Sequence, residues 1–515
     1  MASGLSPAVD VAVIGAGAMG AGIAQVAAAA GHRVRLYDSR SGAAASAVLN
    51  ILSALNKLAD KGRMSHDAAE AAAGRISHID ELAECAGCGL AVEAIVENLD
   101  AKRALFKRLE LVLAPDAILA SNTSSISVTA IGAGLRHPER LAGLHFFNPA
   151  PQMPLVEVIS GTATAAAVSA TLMATAASWG KIPVRARNTP GFIVNRVARP
   201  FYAEGLRLLS EGAGDCATID ALIRESGGFR MGPFELMDLI GHDVNYAVTR
   251  SVFDAYYGDP RFTPSLQQLE LVDAGFLGRK SGRGFYDYRE GMPAATASTL
   301  AHCAPPRVVR LFSGTLADAL ATRLAERGIA FDRLGFHIDG RCAEADGAVI
   351  YRTDGRTATA RSASSGLPNT ALVDLALDDM RAGRLGITVA DQADPSTLSA
   401  AAGLLQAAGY AVSWLDDLPG MAVMRTVAML ANEAADAVHQ GVCSAADADL
   451  AMCKGVNYPL GPLAWADELG IGTVLTVLDN LAQAYGEDRY RASPLLRRKR
   501  QSAASFHQTQ EAVHG

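Results

Sequence analysis

At 515 residues the chain is too long for one core, and half of it is apolar, so we expect three or four domains. A net charge of −7 with mixed signs argues against a nucleic-acid partner, and charges or glycines interrupt every apolar run before it reaches the length of a membrane span. The seven cysteines are odd in number and scattered, which suits reduced thiols, and the opening MASGLSPAVD has neither the basic nor the apolar part of a secretory leader; both point to a cytoplasmic protein.

Val9 to Ile14 reads as a strand, followed by GAGAMG, a helical stretch from Gly20 to about Gly31, and a second strand over 32–37 that ends in Asp38. Gly15, Gly17 and Gly20 stand where the turn must be tight, where backbone must approach a pyrophosphate and where helix must pack close to sheet. The helix N-terminus then faces phosphate with free N–H groups. Asp38 is placed to accept from a ribose diol, which favours NAD; Arg40 leaves some NADP use open.

Residues 41–75 read as helices with Lys57, Lys61 and Arg63 on a basic patch, which is either a solvated face or a cationic edge for the phosphates of a bulky thioester carrier. Cys85 and Cys88 form a lone CxxC with no second pair or histidines, so no metal is expected there. Gly89 to Val96 is a strand with Glu93 and Glu97 near its end, and the helix after it carries Lys102. Ala117 to Ala120 is another strand, running into the polar loop Ser121–Ser125, where ligands of open α/β sheets bind. Ser124 either donates to a substrate oxygen or caps the next helix.

Residues 141–159 read as strand, turn, strand: Leu141 to Leu144 leads into His145, Asn148-Pro149 and Pro151 break it, and Leu155 to Ile159 resumes around Glu157. If the second strand folds back on the first, Glu157 approaches His145, fixes its tautomer and leaves the other ring nitrogen free to take a proton. A core histidine satisfied by an acid would show the same pattern.

After a helix and a last strand at Ile182 to Val184, the pattern from Gly191 to about Tyr257 is all helical, which marks a second domain. Asn195 lies one turn into its first helix, and the basic, glycine-rich GRKSGRGFY with Lys280 closes it. Residues 289–306 suit a linker. Beyond it, 308–312, 347–352, 371–377, 386–389 and 411–415 read as strands between helices without the spaced glycines, a small α/β domain that holds no dinucleotide. A shift of 229 residues aligns Pro190, Gly191, Arg196, Glu204, Asp220, Gly232 and Asp238 with Pro419, Gly420, Arg425, Glu433, Asp449, Gly461 and Asp467, so the helical domain occurs twice. Asn195 meets Met424 in this alignment, and the closing loop has no counterpart after Arg500.

GAGAMG, VEAIVEN, SNTSS, HFFNP, LVEVI, TPGFIVNR, MGPFELMD and GRKSGRGFY, spread over residues 9–286, together resemble the 3-hydroxyacyl-CoA dehydrogenases. The later domains resemble the long bacterial 3-hydroxybutyryl-CoA dehydrogenase type, some of which serve phenylacetate breakdown. The resemblance implies a Rossmann-type NAD-binding α/β domain (1–188), an all-α domain (189–288), a linker (289–306), a small reduced Rossmann-like α/β domain (307–416) and a second, degenerate all-α domain (417–515). It implies NAD-dependent oxidation of an (S)-3-hydroxyacyl-CoA, such as 3-hydroxybutyryl-CoA or 3-hydroxyadipyl-CoA, to the 3-oxoacyl-CoA. In that reading His145 is the base, Glu157 its partner, and Ser124 and Asn195 orient substrate. Gly15, Gly17, Gly20, Asp38, Glu97, Lys102, Ser124, Asn148 and Lys280 line the NAD site, and Lys61 approaches the CoA. The chain is either a homodimer or a monomer whose second helical domain replaces a partner. The alternative is an NAD-binding structural or regulatory protein on the same scaffold; a 2-hydroxy acid dehydrogenase would need a cationic carboxylate anchor near the His145 strand, and none is apparent.

Overall fold

The structure is a computed structural model that describes residues 3–507. Its chain divides into two compact units, the first made of Met1–Arg196 and Ala437–Val456, the second of the rest.

The first unit is built on an eight-stranded sheet: β1 (Val11–Ile14), β2 (Val34–Tyr37), β3 (Ile76–His78), β4 (Leu90–Glu93), β5 (Ile118–Ser121), β6 (Leu141–Phe146), β7 (Leu155–Ser160) and β8 (Ile182–Arg187), in the order β3-β2-β1-β4-β5-β6-β7-β8. The strands from β3 to β6 pair in parallel, as a sheet covered on both faces allows, and β1 and β4 are apolar runs, broken only by Glu93, buried along their whole length. β7 then runs antiparallel to β6 and parallel to β8. β3 was not expected: Ile76 is its one buried residue, too little for a periodic signal. The segment Ala437–Val456 from the second helical copy closes this unit, with Arg187 N–H donating to Val442 O at 2.7 Å. Gly455 lies so near β7 that a Cβ there would meet a Leu155 methyl at 2.6 Å.

The second unit holds a seven-stranded mixed sheet of β9 (Val309–Leu311), β10 (Asp332–Arg333), β11 (Ala343–Ala345), β12 (Ala348–Arg352), β13 (Thr370–Val373), β14 (Arg384–Val389) and β15 (Ala411–Trp414). β10 and β11 are two and three residues long, below what alternation in a sequence reveals. Residues 289–306 carry no helix or strand, yet they are tied down: Ser298 N–H donates to Thr218 Oγ1 at 2.9 Å, Leu300 N–H to Val412 O at 2.8 Å and Cys303 N–H to Gln406 Oε1 at 2.7 Å. Helices of the two copies pack together here through a fully buried ion pair, Arg425 Nε to Glu204 Oε2 at 2.6 Å.

The duplication reaches further back than the sequence comparison found. Val373 of β13 pairs with Ile387 of β14, which sets Asp374 beside Gly386, as His145 of β6 pairs with Glu157 of β7; both residues are shifted by 229. The β14–β15 register, Arg384 with Ala411, repeats that of β7–β8, Leu155 with Ile182, at the same shift. The closing loop also has a counterpart, contrary to expectation: Asp467 accepts from Phe506 and His507 N–H, as Asp238 accepts from Phe285 and Tyr286 N–H. Only the Ser-x-x-x-Phe spacing survives between the two segments, so composition alone hid it.

Candidate active site

The turn after β1 is built by glycine. Gly15 has φ +107°, and a Cβ on it would meet Ala94 O at 2.4 Å; a Cβ on Gly20 would meet Gly15 O at 1.8 Å. At Gly17 the space is open, with no protein atom within 4 Å of the Cβ position, and the helix Ala18–Ala29 begins there without a side-chain cap. It starts beside a cavity of about 540 Å³ lined by Gly15, Gly17, Asp38, Ile95 and Arg108 among others, with its first N–H groups left without a side-chain cap. Asp38 Oδ2 accepts from Ala16 N–H at 2.8 Å, and Arg40 closes on the same carboxylate at 3.1 Å. Burial disfavours the charge on Asp38, but the Arg40 and Ala16 hydrogen bonds outweigh it and hold the carboxyl below its usual range. The glycine turn, the uncapped helix start and the acid after β2 fit a dinucleotide.

Beside this cavity Lys102, 1% exposed, donates to Glu93 at 2.6 Å and lies 3.1 Å from Glu97. Lys102, expected to line the NAD site, is enclosed here between Glu93 and Glu97 and is not on the wall of that cavity. Glu97 Oε1 in turn accepts from Thr123 Oγ1, the N–H groups of Ser124 and Ser125 and Ser125 Oγ, within 2.6–3.1 Å. Burial alone would raise the Glu97 carboxyl, but Lys102 and the Thr123 hydroxyl bring it down to about 2. Glu97 clamps the polar loop after β5, a role its position at a strand end did not reveal. Ser124 does not cap the next helix, since Ser127 caps Val128–Gly132 by accepting from Ala130 N–H. Ser124 Oγ has no partner among the described residues, and its carbonyl accepts from Asn195 Nδ2 at 3.4 Å.

The β6–β7 register sets His145 opposite Glu157, and Nδ1 lies 2.7 Å from Glu157 Oε2. An ionised carboxylate only accepts, so Nδ1 carries the proton and the Nε2 lone pair is left free. Glu157 Oε1 also accepts from Ile193 and Val194 N–H, both at 3.0 Å, which fixes the start of the helix Val194–Val197 that carries Asn195. His145 is 6% exposed, its ring between Phe147 and Phe192 at centroid distances of 4.6 and 6.0 Å. One carboxylate thus ties together the imidazole, the loop carrying Asn195 and, through Asn195, Ser124.

Asn148 is exposed in the loop after β6, and Lys61 is exposed at the C-terminus of the helix Ala43–Asp60. Lys280 belongs to the second unit, where its ammonium rests on Asp243 at 2.5 Å. Three supports went unread in the sequence. Asn122 Oδ1 accepts from Phe146 N–H at 2.8 Å, Asn188 Oδ1 from Val128 N–H at 2.8 Å, and Lys181 Nζ donates to Ala150 and Met153 carbonyls at 2.6 and 2.9 Å, holding the loop after His145. Each depends on tertiary neighbours and leaves no local signal.

The family models that match are the 3-hydroxyacyl-CoA dehydrogenase NAD binding domain over residues 10–189, its C-terminal domain over 191–288 and again over 420–512, and the 3-hydroxybutyryl-CoA dehydrogenase reduced Rossmann-fold domain over 350–419. A 3-hydroxyadipyl-CoA dehydrogenase of Escherichia coli is 45% identical over 95% of this chain and 97% of its own. A probable 3-hydroxybutyryl-CoA dehydrogenase of Bacillus subtilis is 40% identical over 98% of its own length but only 55% of this chain. The crystal structure of a 3-hydroxybutyryl-CoA dehydrogenase from Escherichia coli superposes with a TM-score of 0.88 at 44% identity, covering 97% of this chain and 99% of that one. The chain belongs to the 3-hydroxyacyl-CoA dehydrogenase family and, like that family, is an NAD-dependent enzyme.

Proposed function

We propose that the protein oxidises the 3-hydroxyl of a short (S)-3-hydroxyacyl-CoA in the cytoplasm, with 3-hydroxyadipyl-CoA and 3-hydroxybutyryl-CoA as its candidate substrates. The observation that carries the chemistry is the 2.7 Å pair of His145 Nδ1 and Glu157, in which Glu157 is also held by two backbone N–H groups and so cannot turn away. Both esters are supported by relatives matched nearly end to end, one named for 3-hydroxyadipyl-CoA and one for 3-hydroxybutyryl-CoA.

NAD, when bound, accepts the hydride from C3. His145 Nε2 takes the hydroxyl proton, and Glu157 stabilises the imidazolium that results. Returned by the same nitrogen, the proton drives the reverse reduction. Ser124 Oγ and Asn195 orient the reacting oxygen or the thioester carbonyl, and the phenyl rings of Phe147 and Phe192 keep water from the imidazole. Gly15, Gly17, Gly20 and Asp38 hold the nucleotide, with Glu97 and Asn148 contributing around it, and Lys61 meets CoA phosphate. The Arg425–Glu204 packing of the two helical copies supports a monomer in which the second copy stands in for a partner chain.

His145→Gln tests the reading. NADH binding, followed by fluorescence, is expected to persist while acetoacetyl-CoA-dependent NADH oxidation falls by about 10²–10⁴-fold. A variant that keeps near-full rate removes His145 from the chemistry.

A further inference from the structure

The second unit contains a cavity of about 350 Å³, between the helix Arg199–Ser210 and the segment 261–268, that the proposed reaction does not use. Four arginines stand on its wall: Arg199, Arg207, Arg261 and Arg489. Three have carboxylate partners. Arg207 meets Glu211 and Glu487 at 2.7 Å, Arg261 meets Glu433 at 2.9 Å and also Asp436, and Arg489 lies 3.8 Å from Glu487.

Arg199 has none among the described residues. It is 5% exposed, and its one hydrogen bond runs from Nη1 to Thr249 Oγ1 at 3.0 Å. The Tyr202 ring lies 4.8 Å from the guanidinium carbon, and Nε is buried without a partner. Burial pulls its pKa down, and only the Tyr202 and Tyr458 phenols, with no carboxylate, oppose the pull. A buried cation is costly unless an anion meets it, so a charge left uncompensated on the wall of a ligand-sized cavity needs a reason. The same wall carries the first turn of the helix Leu266–Asp273, where Leu266 and Gln267 N–H groups take no partner within the helix and the dipole favours negative charge. Gln267 Oε1 is also buried and unpaired, and its amide presents two donors when turned over.

We propose that this cavity is a carboxylate site, in which the Arg199 guanidinium and the N-terminal turn of Leu266–Asp273 receive the acid end of an aliphatic chain. Two sources share that chemistry: the distal carboxylate of a dicarboxylyl thioester substrate, or a free aliphatic carboxylate acting as an effector. The first source rests on the 3-hydroxyadipyl-CoA reading above.

The test compares wild type, Arg199→Met and Arg199→Lys in kcat/KM for 3-hydroxyadipyl-CoA and for 3-hydroxybutyryl-CoA, together with calorimetric titration of each protein with adipate. For a substrate carboxylate, the preference for the adipyl ester falls by ten-fold or more in Arg199→Met and is partly recovered in Arg199→Lys, which keeps the charge but not the two-pronged fork. For an effector, the preference holds, while adipate binds wild type and not Arg199→Met. An unchanged preference with identical titrations overturns the site. A wild type that turns over the butyryl ester but not the adipyl ester refutes the substrate reading alone, and the titration still decides the site. Should Arg199→Met fail to fold, Arg199→Lys against wild type carries both comparisons.

Discussion

The strand pairs β6–β7 and β13–β14 have the same register and the same helix entry after them, yet their acids stand on different strands. In the first pair Glu157 is on β7, facing His145, and accepts from Ile193 and Val194 N–H. In the second, Gly386 replaces the acid and Asp374 stands where the imidazole would be, accepting from Ala422, Val423 and Met424 N–H. Ala422 and Val423 are Ile193 and Val194 shifted by 229. Both copies therefore keep a buried carboxylate under the helix start, and only the first keeps an imidazole to share it. The helix entry is a requirement of folding; the proton acceptor is an addition that one copy lacks.

The largest expected effect separates these roles. His145→Gln is expected to cost about 10²–10⁴ in kcat with little change in Tm, since Glu157 still accepts from the two backbone groups. Asp374→Ala is expected to do the reverse. It strands four buried N–H groups, those of Leu375, Ala422, Val423 and Met424, at a cost of about 2–4 kcal/mol, seen as a fall in urea midpoint, while kcat per folded molecule stays within about two-fold. Loss of activity without loss of stability would break the comparison.

Met424→Asn restores the first copy's residue at a position 2% exposed, and the buried amide is expected to cost about 1–3 kcal/mol without adding turnover. A measurable activity in a His145→Gln background would show that the second copy needs only that side chain. The smallest effect concerns Glu97. Its carboxyl is held down at about 2, so the stability it adds is present above the ordinary carboxylate value of 4.5 and is lost as pH falls towards 2. The Tm of Glu97→Gln is expected to lie about 2–4 °C below wild type at pH 7 and to converge with it over that acid window. Parallel curves down to pH 2 would show that Glu97 does not clamp the loop.

Much of the site was legible because its residues sit at the ends of strongly patterned strands. GAGAMG between strand and helix announced the nucleotide turn, and the break at Asn148-Pro149 between two apolar runs was enough to suggest that Glu157 folds back on His145. Lys102 read as a lining group through the family resemblance alone; that it is enclosed by Glu93 and Glu97 depends on how the helix Leu99–Val112 docks. The repeat was visible only from Pro190 onward, because β13 and β14 keep the backbone register of β6 and β7 while replacing both functional side chains.

By itself the sequence determined the strand and helix types, the nucleotide turn and the duplication of the helical domain, because periodicity, glycine and proline act through local backbone preference. Tertiary structure alone decided which carboxylate meets which partner. The hydrogen bonds of Glu157, Asp374 and Glu97 and the solitary charge of Arg199 join residues far apart in the chain, and no local preference encodes a distance across the fold.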